Sequence, residues 1–292
     1  CGCCGGAHGG CRTCKHRPRG FVAAQASLQD GRRTQHLELT AIGRVVNGCT
    51  DRKSMTTLGV PSRIELFLEF APALLRLEKH THVWVFGWLD GGERDVLQVI
   101  PRGLKPRPGE APDPRNLHGV FAVRSPARPN PIGLTVARIV EIGRSHVDVD
   151  RLDFIDGTPV VDLKPYFPSR DCVFSARSRQ VGSNASIEAA RESAFGQALA
   201  FCGEESDDLR LAVEILAHFR AGVLEFRDPD EWSIVVPATR HQLCDALMGV
   251  TRAMPGRGEI RFHGLDAVVF EHAGARYEYQ LLPEGGWRFW PH

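Results

Sequence analysis

Two arginines, an asparagine and three prolines fall within ten residues, Arg124-Ser125-Pro126-Ala127-Arg128-Pro129-Asn130-Pro131-Ile132-Gly133. No other stretch of the chain is so well equipped to hold a charged ligand. Each guanidinium is a planar fork that grips a carboxylate or phosphate at two points, and Asn130 adds both a donor and an acceptor. The prolines fix φ and push the residues before them toward extended backbone. The result is a stiff wall with no ladder hydrogen bonds of its own. Gly133 would allow the backbone to approach a bound molecule closely. The competing reading is a proline-rich surface corner with solvated arginines. Downstream, the turn Leu152-Asp153-Phe154-Ile155-Asp156-Gly157 offers Asp153 and Asp156 as acceptors for hydroxyl or amine groups. An Asp-Gly pair is equally at home in an ordinary β-turn. His82 heads an apolar strand, where a histidine packs as readily as it moves protons, and His118 before the loop is just as open.

A second group of reactive side chains lies at the start. Five of the nine cysteines are Cys1, Cys3, Cys4, Cys11 and Cys14, with His8 and His16 beside them. Cys11-x-x-Cys14 is half of a zinc or iron–sulfur site, which makes Cys3, Cys4, Cys11 and Cys14 candidate ligands. The other half is irregular and the segment is glycine-rich and terminal, so a functionally silent tail is the alternative. A lipid on Cys1 is a third reading. The remaining four cysteines are scattered, as in a reduced, cytoplasmic protein without a disulfide framework.

The elements around these groups read as two textures. From Glu38 the chain is β-like: "LELTAIGRVV", "SRIELFLEF", "VWVFGWL", "GVFAV", "LTVARIVEI", "HVDVDRLDFI" and "VVDLKPY" follow at short intervals. Only "FAPALLRLEK" (70–79) is long enough for a helix. The pattern predicts a mainly β protein, with a compact all-β barrel or sandwich over 38–180. After Asn184, "IEAARESAFGQALAFCG", "DDLRLAVEILAHFRAG" and "TRHQLCDALMGVTRAM" carry apolar residues at helical spacing. "EIRFHG", "DAVVFEH" and "ARYEYQLL" then read as a terminal meander. Residues 187–292 are therefore expected to form a smaller α+β domain, and residues 1–37 a cysteine-rich segment and linker. No apolar run approaches the ~20 residues of a membrane helix, and no charged segment followed by an apolar stretch opens the chain, so neither a membrane nor secretion is expected.

Charge separates the two textures further, although the net charge is only +1. Between Glu188 and Glu231 eleven acidic residues face four arginines, a net of −7 that would repel a polyanion. Residues 102–128 carry a net of +4. There Arg102, Lys105, Arg107 and Arg115 could track phosphates, with a solvated insertion as the alternative.

Three ordered strings resemble one family. "GVFAVRSPARPNPIGLTV" is similar to the signature of the TsaA-like (TrmO) family. "LEKHTHVWVFGWL" resembles its Glu-x-x-Ser-His strand, with Thr81 in place of serine and His82 as the histidine. "LDFIDGTPVVDLKPYFP" resembles its Asp-Gly-Thr-Pro motif almost letter for letter. The resemblance covers roughly 38–180. It implies a small β-barrel that forms homodimers and binds S-adenosylmethionine near the interface. It also implies methyl transfer to N6 of threonylcarbamoyl-adenosine 37 in the anticodon loop of tRNA. On that basis Thr81, His82, Arg124, Ser125, Arg128, Pro129, Asn130, Leu134, Asp153, Asp156 and Gly157 are candidate cofactor contacts. Asp153 and His82 are candidate proton acceptors, and water alone is the alternative. No Gly-x-Gly-x-x-Gly follows a strand, in keeping with a fold other than the doubly wound one. Bacterial members carry Pro-Arg-Gln after the first strand, where this chain reads "NGCTDRKSMTTLGVPSRIEL", closer to the archaeal branch. No cofactor residue transfers from that stretch. Two further readings keep the fold: the same cofactor with a non-tRNA acceptor, and a non-catalytic cofactor-binding sensor of metal or redox state.

Overall fold

The computed structural model describes residues 21–24, 37–56, 58–101, 104–106, 109–176, 186–225 and 232–291. Cys3, Cys4, Cys11, Cys14, Arg102 and Arg107 lie outside them. Two compact units divide the described chain. One holds the residues up to Val96 together with Pro126–Tyr166, the other Leu97–Ser125 together with the residues from Phe167 onward.

The first unit is built on alternation. In β5 (His82–Trp88) Val83 and Val85 are fully buried, and in β9 (His146–Leu152) so are Val147 and Leu152. Trp84 between the first two is only half-buried, and so is Asp148 between Val147 and the buried Val149, as a strand's period of two requires. With β3 (Gly43–Val46), β4 (Val60–Leu66), β8 (Ile132–Ile142) and β10 (Pro159–Pro165) these strands close an antiparallel barrel in the order β10-β3-β4-β9-β8-β5. Closure leaves no open edge. Val45, Ile64, Val83, Val85, Ala137, Val149, Phe154 and Val160 fill the interior. The outer wall carries ion pairs such as Arg63–Asp148 and Arg44–Glu65. A separate pair, β1 (Phe21–Ala24) with β2 (Leu37–Thr40), precedes it.

The helix expected over 70–79 is not α-helical. Pro72 lies inside one 3-10 segment, and Arg76, at φ 69°, separates it from the next. "GVFAV" is not a strand either. After the two-residue β7 (His118–Gly119), which pairs with β6 (Gln98–Val99), the chain turns from Val120 to Arg124.

In the second unit the helical spacing is realised. α2 (Ile187–Cys202) and α3 (Asp207–Gly222) start on Ser186 and Ser206, whose hydroxyls accept from the backbone N–H three residues on. A short α1 (Pro168–Asp171) precedes them, and α4 (His241–Thr251) follows. The three long helices pack on a five-stranded sheet through Leu216, Phe219, Leu247, Ile234, Phe270 and Tyr279. The sheet is not the simple meander expected. Its order is β12-β11-β13-β14-β15, with β11 (Trp232–Pro237) inserted beside β13 (Ala267–His272) and parallel to β12 (Ile260–His263). β14 (Ala275–Leu281) and β15 (Trp287–Pro291) complete it. Among the described residues no helix is long and apolar enough to cross a membrane.

Candidate active site

The proline-locked segment ends where β8 begins, and the ladder with β5 fixes its place. Ile132 pairs with Trp88, Gly133 with Gly87, Leu134 with Phe86, and the register runs on to Arg138 opposite His82. The Leu89 N–H donates to the Pro131 carbonyl at 2.8 Å, and the Ile132 N–H to the Asn130 carbonyl at 2.7 Å. Pro131 is buried while Pro129 and Asn130 are exposed, so the tip is presented on a fixed stem. Arg124 is exposed, and Ser125 and Arg128 are half-buried.

Gly133 has a role other than the one expected. A Cβ there would lie 2.6 Å from Cε1 of Phe154, and one on Gly87 would lie 2.9 Å from Cε2 of the same ring. The paired glycines make room for a buried phenylalanine, and the close approach is internal. Phe154 was not a candidate from sequence. The signal for it was two glycines placed so that the strands pair them, but the third partner is remote in sequence.

Asp156 and Gly157 form a structural turn. Asp156 Oδ1 accepts from the Asn47 N–H at 2.8 Å and the Gly48 N–H at 3.0 Å. The Asp156 N–H donates to the Cys49 carbonyl and that of Gly157, at φ 78°, to the Val45 carbonyl. The two backbone donors hold the Asp156 carboxyl below the usual carboxylate range. Asn47, also missed, ties the same corner. Its Nδ2 donates to Ser62 Oγ at 3.0 Å and to the Phe154 carbonyl at 2.9 Å, while its Oδ1 accepts from the Cys49 N–H.

Asp153 is exposed and accepts a hydrogen bond from Thr135 Oγ1. Thr135 pairs with Val85, on the inward row of the wall. His82 is on the outward row, three residues further along β5, about 10 Å of strand. The two candidate proton acceptors therefore do not converge within one copy of the chain. Thr81 Oγ1 meets His82 Nδ1 at 2.9 Å, the His82 carbonyl accepts from the Tyr166 N–H, and the His82 ring lies 6.3 Å from that of Tyr166. Burial pushes His82 below the ordinary histidine range, against the pull of Asp150 and with that of Arg138 and Arg151. Trp88 at the loop end is six strand steps away along β5, about 20 Å.

Trp88 itself is a further feature of the loop end. It is 1% exposed, and among the described residues its Nε1 is a buried donor with no hydrogen-bond partner. The Arg94 guanidinium lies 5.3 Å from the ring. Unpaired buried donors are few in native proteins, and each calls for an explanation such as strain, a functional role or a bound water or ion. Of the candidate phosphate-tracking residues, Lys105 is exposed and Arg115 is clamped by Asp113 at 2.7 Å.

A family model described as the tRNA-methyltransferase O N-terminal domain matches residues 49–172, which hold β4 to β10 and both loops. Over 119 residues the chain is 43% identical to an S-adenosyl-L-methionine-binding protein of Archaeoglobus fulgidus, a match covering 41% of this chain and 78% of that protein. The chain belongs to the tRNA-methyltransferase O family. A second family relative, a probable S-adenosyl-L-methionine-binding protein of Methanothermobacter thermautotrophicus, is 42% identical over 110 residues, 38% of this chain and 72% of the relative. The tRNA (adenine(37)-N6)-methyltransferase of Mus musculus is 39% identical over 100 residues, 34% of this chain but 21% of the mouse protein.

Proposed function

We propose that this member of the family is an S-adenosylmethionine-dependent methyltransferase that modifies N6 of threonylcarbamoyl-adenosine 37 in tRNA. The likeness to the mouse tRNA (adenine(37)-N6)-methyltransferase carries the reading. The residues at the loop end suit the cofactor. It brings a carboxylate, ribose hydroxyls and a methyl group made transferable by a sulfonium. Against these the chain sets the Arg124 and Arg128 guanidiniums, the Asn130 amide, the Asp153 carboxylate and the orphaned Trp88 N–H. Arg124 is assigned to the anionic end of the cofactor. Asp153, steered by its bond from Thr135, is the acceptor for the proton that the N6 nitrogen sheds as its bond to the methyl carbon forms. Its place on the loop side of the wall favours it over His82. The rest of the work is positioning the two reacting atoms in line.

A homodimer belongs to the same reading. Trp84, Phe86 and Val136 are only half-buried on the outward rows of β5 and β8, with Leu134 exposed beside them, and a second copy would cover them. The cysteine cluster, as a zinc or iron–sulfur site, is kept as a separate proposal.

The test is incubation of the purified protein with methyl-labelled S-adenosylmethionine and tRNA lacking the modification, followed by nucleoside mass spectrometry. Label is expected on threonylcarbamoyl-adenosine, and Arg124→Ala should cut transfer about 10- to 100-fold, the range for losing a charge-assisted contact. Unlabelled nucleosides with cofactor binding intact would move the reading to another acceptor or to a sensor. The Trp88 assignment has its own check. Trp88→Phe should cost no more than about 1–2 kcal/mol of stability, because the smaller ring leaves a small void while an unpaired donor is removed. Calorimetric cofactor affinity should fall about 5- to 10-fold. Unaltered affinity would remove Trp88 from the site.

A further inference from the structure

Phe121 is 85% exposed, the highest among the large apolar side chains of the protein's described residues. Its position is not that of a loose loop. The ladder of β6 and β7 pairs Gln98 with Gly119 and Val99 with His118, and the Val120 N–H donates to the Leu97 carbonyl at 3.0 Å. The Ala122 N–H then closes a turn on the Gly119 carbonyl at 2.9 Å. Val120 is 1% exposed and anchors the turn inward, which leaves its neighbour Phe121 directed to solvent. Leu97 and Leu117 add exposed apolar surface in the same excursion. His118 is tied down as well, its Nδ1 2.8 Å from the Asn116 carbonyl. The ring is thus held out on a short, fixed platform.

The charges of the excursion indicate what the ring meets. Residues 97–125 carry Arg102, Lys105, Arg107, Arg115 and Arg124 against Glu110 and Asp113, a net of +3. An exposed aromatic ring in a segment of net positive charge suits a ligand that offers a π-face beside negative charge. An unpaired nucleobase flanked by phosphates meets both needs.

We propose that the 119–124 turn is the base-contacting edge of an RNA surface, on which Phe121 stacks against an unpaired base while Lys105 takes a flanking phosphate. This rests on the tRNA reading above and adds to it the residue that would hold a base out of its stack. Stacking is indifferent to base identity, so Phe121 contributes affinity and placement. Selection of the modified adenosine falls to other groups.

The experiment uses the full chain and an anticodon stem-loop RNA with an unpaired adenosine, with affinity read by fluorescence anisotropy. S-adenosylmethionine affinity is read by calorimetry and oligomeric state by light scattering. Phe121→Ala is expected to weaken RNA binding about 10- to 100-fold, the range for one stacked base. Phe121→Trp should keep wild-type affinity, and cofactor affinity and oligomeric state should be unchanged in both variants. Equal RNA affinity in Phe121→Ala overturns the proposal and leaves the tRNA reading standing. So does a fall in cofactor affinity alone, which would make Phe121 a wall of the cofactor site, or dissociation of an oligomer, which would make it a subunit contact. A wild-type protein that fails to bind the RNA overturns both.

Discussion

Phe154→Ala is expected to lower the stability of the barrel by about 3–5 kcal/mol, the cost of removing a buried aromatic ring and leaving a cavity. Phe154 is 3% exposed, and its ring fills the space that Gly87 and Gly133 leave open on the facing strands. The loss should spread to the ligand side, because Gly133 follows the Pro131–Ile132 stem on which the proline loop stands. Chemical denaturation with fluorescence detection gives the magnitude. A paired substitution tests the cause. Gly133→Ala alone should cost about 1–3 kcal/mol through overpacking. In the Phe154→Ala background the added methyl enters the vacated space and should cost little or restore stability. If the two effects simply add, the ring and the glycine are not coupled as described.

Asn47→Ala should be nearly as damaging, at about 2–4 kcal/mol, since three side-chain hydrogen bonds go and the Phe154 carbonyl loses its Asn47 donor. Its neighbour Asp156 gives the same corner a pH dependence. The folded carboxyl is held below its unfolded value of about 3.9 by the Asn47 and Gly48 N–H groups. Its contribution is therefore complete above that pH and is lost as the solution is acidified through the lower, folded value. Melting temperature measured from pH 7 down to 3 should fall most steeply below about pH 4. Asp156→Asn should start lower and show a shallower acid limb. The slope is reduced rather than abolished, because Asp148, held low by Arg63, titrates in the same window. Parallel acid limbs in the two proteins would count against Asp156.

Much of this arrangement was legible in the residues. Short apolar, alternating runs marked β5 and β9, and apolar residues at helical spacing marked α2 and α3. Both are local signals, set by a period within a few residues. What the residues hid was non-local. "GVFAV" has the composition of a strand, yet its partner β6 is two residues long, so the ladder stops at Gly119. "WSIVVP" is a short apolar run whose parallel partner, β12, lies beyond a whole helix. At the candidate site, the proline loop and the Asp-Gly turn could be found by type and spacing. The division of labour within them could not. Asp156 turns inward to a backbone corner, Asp153 meets Thr135, and His82 sits on the other face of the wall. Those differences depend on strand register and on which face each side chain takes, and register emerges only when the barrel closes.

Closure also sets when this fold can exist. β10 pairs with β3 on one side and β5 on the other, so Val160 lies opposite both Gly43 and Gly87. Until the last strand arrives, the two earlier ones present bare rows of amides and carbonyls, open to pairing with a neighbouring chain. During synthesis the barrel cannot close before residues 159–165 have left the ribosome, and contacts of such long sequence separation make its assembly slow. A fragment that stops short of Pro159 would keep most of the apolar interior and still lack a shape. Its fate would be association through exposed strands, and the interval before Val160 emerges is when the nascent protein has most need of a chaperone.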